Sequence, residues 1–189
     1  MTLFFPRVNR EAVPSMVFVD GENLAVRYGS ILQSSGRHAP SHVQYELGVY
    51  VWSQGLNNLC FRGGVVRRHY YTSVQGDTDR VIEVVDRLKA AGIEAPNVFK
   101  KTKTKGSKRV DVSLTTDMLL HAARKNFEVA ILVAGDEDYV PLVEAVKSEG
   151  RRVLLWFVSN GLSPALKRSA DYFHDLDEVL LSPDIKDWK

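Results

Sequence analysis

An apolar run at residues 129–134, rich in β-branched side chains, stops at Gly135. Asp136, Glu137 and Asp138 follow, and Val140, Leu142, Val143 and Val146 then recur at helical spacing up to Gly150. The run suits a strand buried on both faces, and the second stretch suits an amphipathic helix. Together they predict a sharp strand-to-helix turn that carries acids. In an open α/β sheet such a turn lies at the carboxyl end of a strand, where ligands bind.

Acids in a first helical turn also favour the helix dipole and cap free N–H groups, for about 0.3–1 kcal/mol each, and need no ligand to explain them. A second strand end of the same kind weighs against that explanation. Residues 16–19 are apolar and run directly into Asp20, Gly21, Glu22 and Asn23.

The remaining segments fit the same architecture. Residues 22–32 read as a short helix, and 43–59 as a second helix on the positions Val43, Leu47, Tyr50, Val51 and Leu56, weakened by Gly48 and Gly55. A strand runs from Gly64 to near Val74, a helix spans 79–91 and closes at Gly92, and a strand spans 93–99. Residues 151–158 read as a further strand, Ser163 and Pro164 start a short helix to about Ala170, and 171–176 form a last strand or turn. Strands alternating with helices predict an α/β fold with a mostly parallel sheet.

With 189 residues, 44% hydrophobic and 25% charged, the chain suits one filled domain. Residues 1–15, broken by Pro6 and Pro14, read as an arm, 16–176 as the domain, and 177–189 as a loosely held tail. Cys60 is the lone cysteine, which excludes an intramolecular disulfide and a multi-cysteine zinc site. No secretory h-region is evident, and no run approaches the roughly 18 apolar residues of a membrane span, so a soluble, cytoplasmic protein is expected.

A net charge of +2 does not announce a nucleic-acid partner, but its clustering does more. Residues 100–108, KKTKTKGSK, hold five lysines and no apolar side chain. They read either as a solvated loop or as a phosphate-contacting one, and they lack the first glycine of a Walker A loop. The helix that follows, 110–125, carries an apolar line of Val112, Thr116, Leu119 and Ala123, widened by Leu114, Met118 and Ala122. Asp111 falls beside Met118 and Ala122, a costly place for a carboxylate unless it is paired or binds a metal. Asp117 falls on the other flank, near Arg124, so a regular helix does not aim both acids at one ion; if Asp111 precedes the regular helix, Asp117 also faces the site.

Carboxylates are therefore the chemistry on offer. The five histidines lack zinc-ligand pairing, Ser159 and Ser163 lack a nucleophile elbow, and DGEN stands where a dinucleotide fold needs glycines. Aspartate clusters bind hard cations, which activate water and stabilise a leaving oxygen in phosphodiester hydrolysis. With lysines to hold a polyanion, the pattern points to a metal-dependent nuclease. One rival is a DxD nucleotide-sugar transferase built on Asp136, Glu137 and Asp138, but this leaves Asp20 and Asp111 unexplained.

The ordered motifs VFVDGEN, KRVDVSLTTDMLLHA, ILVAGDEDYVPLVEAVKSEGRRV and SPALKRSADYF resemble the NYN domain, the LabA- and limkain-type branch of the PIN-like nucleases. The resemblance covers residues 16 to about 176. It implies a three-layer α/β/α Rossmann-like fold with a central parallel sheet, and RNA cleavage dependent on Mg²⁺ or Mn²⁺. By position, Asp20 and Asn23 match the first motif, Asp111 the lysine-led motif that begins at Lys108, and Asp136 and Asp138 the strand-end motif. Asp117 also matches a family aspartate, while Arg109 stands where the family often has glycine.

On this reading Asp20, Asp111 and Asp136 hold one or two ions, with Asp117 or Asp138 positioning water or a second ion. Asn23 orients Asp20 or a metal-bound water. Lys101, Lys103, Lys105, Lys108, Arg67 and Arg68 contact the phosphates of a single-stranded RNA, and Tyr70 or Tyr71 stacks on a base. The alternative is a non-cleaving RNA-binding or protein-interaction module on the same fold. A homodimer is a further expectation that no motif carries.

Overall fold

A computed structural model describes residues 13–62, 64–101 and 108–184. The strands β1 (Ser15–Asp20), β4 (Val65–Val74), β5 (Ala95–Lys100), β6 (Val129–Val133), β7 (Arg152–Phe157) and β8 (Tyr172–Asp175) form one sheet in the order β5-β4-β1-β6-β7-β8, and every pairing is parallel. From β1 the chain builds outward to β4 and β5, then returns to the other side of β1 to lay down β6, β7 and β8. The order of strands thus reverses between β1 and β6, which is where an open α/β sheet parts to admit a ligand.

Period-two alternation divides the core between the two faces of the sheet. Val17, Val19, Ile131 and Val133 face one layer, made by α1 (Gly21–Ser35), α2 (Gln54–Arg62), α3 (Thr78–Ala90) and α7 (Asp177–Leu181). Met16, Phe18, Ala130 and Leu132 face the other layer, made by α4 (Lys108–Ala123), α5 (Val140–Ser148) and α6 (Pro164–Ser169). The result is a three-layer α/β/α fold. No helix among the described residues is long and apolar enough to cross a membrane.

Three expectations are corrected here. Residues 43–59 do not form one helix: Val43–Glu46 (β2) and Tyr50–Ser53 (β3) pair as an antiparallel hairpin, and α2 starts only at Gln54. Gly48 takes the left-handed φ of 67° in the hairpin turn, a conformation that would break a helix, and the hairpin packs over α1. On α4 the buried stripe is Val110, Leu114, Met118 and Ala122, while Val112 is 64% exposed. Both stripes are apolar at helical spacing, so only packing against the sheet decides between them. The stretch Asp177–Leu181 is not part of a loose tail, because α7 buries Val179 and Leu180, and the Tyr28 hydroxyl donates to the Leu180 carbonyl at 2.9 Å; residues 185–189 lie outside the described residues.

Candidate active site

Asp20 keeps the even parity of Met16 and Phe18, so it leaves the end of β1 toward the α4 and α5 layer. It is also the N-cap of α1: its Oδ1 accepts from the Asn23 backbone N–H at 3.0 Å. Its Oδ2 accepts from the Tyr139 hydroxyl at 2.8 Å, and the same hydroxyl reaches Asp111 Oδ1, in the first turn of α4, at 3.2 Å. One hydroxyl proton therefore serves two carboxylates.

Asp136 follows β6, across the switch point from Asp20. Asn23 joins the two strand ends. Its side-chain N–H donates to Asp136 Oδ2 at 2.7 Å, while its carbonyl oxygen accepts from the Gly135 N–H at 3.0 Å. The turn at Gly21 is tight enough that a Cβ there would meet the Tyr70 ring at 2.0 Å.

Burial raises the Asp20 carboxyl to about 7, against the Asn23 and Tyr139 hydrogen bonds that lower it, and the nearby Asp111 and Asp136 add to the rise. Asp111 is shifted upward too, first by burial, with Tyr139 opposing and Asp136, Glu22 and Asp138 contributing. Burial and the two carboxylates together raise the Tyr139 hydroxyl, so it stays a donor. Such a site concentrates negative charge that hydrogen bonds only partly offset.

Its donors are all oxygen, from carboxylates and one amide, and suit a hard cation. Among the described residues no three His, Cys, Asp or Glu side chains stand close enough together to enclose an ion. The arrangement fits an ion held by one or two carboxylates with water completing the shell, which is the usual manner of Mg²⁺.

The other expected residues are placed as follows. Asp138 is exposed at the rim of the cluster, near enough to raise Asp111. Asp117 lies about 9 Å farther along α4 than Asp111, at 1.5 Å per residue, and accepts from the Tyr71 hydroxyl at 2.8 Å instead of joining the cluster. Lys101 stands at the site and forms an ion pair with Glu22. Lys103 and Lys105 lie outside the described residues, and Lys108 opens α4, with its side chain outside them.

Arg67 and Arg68 are not brought to this edge. They pair in register with Met16 and Val17 toward the amino end of β1, and Arg68 is engaged by Glu94 and Asn57. Neither tyrosine of β4 can stack on a base, because Tyr70 and Tyr71 are both fully buried; the Tyr70 hydroxyl contacts the Val51 backbone.

Three participants were missed in the sequence. Tyr139 bridges two acids, Glu22 accepts from Ser73 Oγ at 2.7 Å beside Lys101, and Arg27 approaches Asp136 at 3.9 Å. Glu22 and Arg27 lie within the first two turns of α1, where a helix starting at a strand end presents side chains to the site. That position was the available signal, whereas nothing in the local pattern singled out Tyr139.

A doubly covered parallel sheet with acids at its switch point defines a Rossmann-like α/β/α protein, an architecture consistent with the PIN-like class. The NYN domain family model matches residues 14–177, nearly the whole described chain. The chain belongs to the NYN domain family. NYN domains are part of the PIN-like nuclease superfamily, are generally ribonucleases acting on RNA, and their superfamily typically uses divalent metals.

No curated protein matches the chain. Among solved structures it is similar to a protein of unknown function, VPA0982 from Vibrio parahaemolyticus. That likeness has a TM-score of 0.62 and 21% identity, over 89% of this chain and 96% of that one. A second structure, Sa239, matches at a TM-score of 0.41 and 10% identity, over 87% of this chain and 60% of that one.

Proposed function

We propose that the protein is a metal-dependent ribonuclease that hydrolyses the phosphodiester bonds of single-stranded RNA. The observation that carries this reading is the meeting of Asp20, Asp111 and Asp136 at the sheet's switch point, with Asn23 spanning the gap between the two strand ends. Asp20, Asp111 and Asp136 would supply the one or two carboxylates that hold Mg²⁺ or Mn²⁺, water completing the shell, with Asp138 at the rim. The ion, when bound, would supply an activated water and neutralise charge on the phosphate.

The protein's own groups have distinct tasks. Asn23 fixes Asp136 relative to Asp20, and Tyr139 holds the Asp20 and Asp111 carboxylates side by side. Lys101, turned toward the site by Glu22 and with its backbone N–H bonded to the Val74 carbonyl at 2.8 Å, offers a cation to a phosphate. Asp117, bonded to Tyr71, supports α4 rather than the reaction.

The test is cleavage of a labelled single-stranded RNA with Mg²⁺, Mn²⁺ or EDTA by wild type, Asp20→Asn and Asp136→Asn. Metal-dependent cutting that both folded variants lose supports the reading. Binding without cutting by every preparation transfers the site to an RNA-binding module, and equal cutting by the variants removes these acids from the reaction.

A further inference from the structure

The described cations are not equally engaged. Arg80 is held by Glu46 and Glu83, Arg68 by Glu94 and Asn57, and Lys101 by Glu22. Arg27 differs: its nearest anion is Asp136 Oδ1 at 3.9 Å, beyond hydrogen-bond reach, and none of its N–H groups makes a hydrogen bond among the described residues. A guanidinium with five donors and no bound acceptor, 39% exposed beside a reactive edge, is equipped to take an incoming oxyanion.

Its position is built into the fold. Arg27 lies one helical turn beyond Asn23 on α1, so both side chains project toward Asp136: Asn23 bonds Oδ2 and Arg27 approaches Oδ1. The arginine stem lies across Gly161, in the turn after β7. A Cβ there would come within 2.6 Å of Arg27 Cδ and Nε, and Gly161 has a left-handed φ of 80°. A glycine at that position leaves the room in which the guanidinium lies.

Lys101 follows β5 and Gly161 follows β7, so the two cations flank the row of carboxylates from opposite sides. At 4.7–4.9 Å per strand, the four intervals from β5 to β7 set those two strand ends roughly 19–20 Å apart. A polyanion laid along the carboxyl ends of the strands meets a cation before the acids and another after them.

We propose that Arg27 is a second phosphate-binding residue, contacting the RNA backbone on the β6 and β7 side of the carboxylates, opposite Lys101. This rests on the proposed action on RNA but not on turnover. With Lys101 it fixes the direction in which a strand crosses the site, a contact that positions without reading sequence.

The test is fluorescence anisotropy of a labelled single-stranded RNA against salt, for full-length wild type, Arg27→Gln and Arg27→Lys, once with EDTA and once with Ca²⁺. One lost phosphate contact lowers the slope of log K against log[salt] by about 0.7 for a single strand, and so weakens binding about 5-fold at 0.1 M salt. Arg27→Gln is expected to show that loss with an unchanged thermal midpoint, and Arg27→Lys to keep the wild-type slope.

An unchanged slope in Arg27→Gln overturns the assignment. So does a loss in both variants that follows a lowered thermal midpoint, which marks a structural role. Wild type that binds RNA here but does not cut it when given Mg²⁺ or Mn²⁺ would sink the nuclease reading alone, and wild type that binds no RNA in either condition refutes both.

Discussion

Replacing Asp20 by Asn should stabilise the metal-free protein, and the gain should grow with pH. In the folded chain this carboxyl titrates at about 7, against 3.8 for the ordinary group. Below pH 3.8 it is protonated in both states and costs nothing. As pH rises from there the unfolded chain releases its proton first, so stability falls until the folded carboxyl ionises near 7. The difference of about three pH units, at 1.36 kcal/mol each, sets a ceiling of about 4 kcal/mol. About 1.5 kcal/mol of this is already lost by pH 5, so the advantage of Asn should grow by up to about 3 kcal/mol between pH 5 and pH 8. Asn is itself a good N-cap, so α1 keeps its bond to the Asn23 N–H. Urea unfolding of both proteins at the two pH values, with EDTA, measures the difference. An Asn variant less stable than wild type at pH 8, or a gap that does not widen with pH, refutes the electrostatic account of the site. Saturating Mn²⁺ should restore the wild type selectively, because binding to the native state alone adds stability by mass action.

Tyr139→Phe leaves two carboxylates without their shared donor and should cost about 1–3 kcal/mol at pH 8 by urea unfolding, while moving the Asp20 titration higher. His69, buried between the Phe18 and Tyr71 rings and facing His121, is lowered from 6.5 to about 4, mainly by burial. Its neutral form therefore supports folding above pH 6.5, and that support is lost as pH falls through about 4, to a ceiling of about 3 kcal/mol. His69→Phe should flatten this acid limb in thermal melts at stepped pH. Asp77→Ala removes the N-cap that accepts from the Arg80 N–H at 3.0 Å, and should destabilise α3 by about 1 kcal/mol in the same melts.

The parallel strands were legible because each is a short β-branched run closed by turn residues, and β1 and β6 were legible with their acids attached. The hairpin was not, since Val43, Leu47, Tyr50 and Val51 satisfy helical spacing as well as two short strands, and only the turn at Gly48 separates the cases. The orientation of α4 was hidden because two apolar stripes compete on one helix and only the sheet buries one of them. At the site, adjacency in sequence gave the strand-end acids, while the structure sets Asp111 against the Tyr139 hydroxyl and Asp117 against the Tyr71 hydroxyl. Arg67 and Arg68 failed for a simple reason: a strand ten residues long carries its two ends to opposite edges of the sheet, and charge in the sequence does not say which edge.

The balance of charge at the edge links its two expected ligands. Among the described residues Asp20, Glu22, Asp111, Asp136 and Asp138 face Lys101 and Arg27, an excess of three negative charges there when all are ionised. A phosphodiester brought to that edge alone meets repulsion, and a divalent ion brought alone meets attraction, so each ligand should improve the other's binding. Coupling of this kind is reciprocal: the factor by which Mn²⁺ tightens RNA must equal the factor by which RNA tightens Mn²⁺. Asp136→Asn, which removes one charge while leaving the amide of Asn23 a neutral partner, should bind RNA in EDTA better than wild type and lose most of the coupling. RNA anisotropy with and without Mn²⁺, paired with Mn²⁺ titration with and without RNA, gives both factors. Equal RNA affinity in EDTA and Mn²⁺ would mean that the carboxylates and the RNA path are separate, and the switch point would then be a metal site without a polyanion beside it.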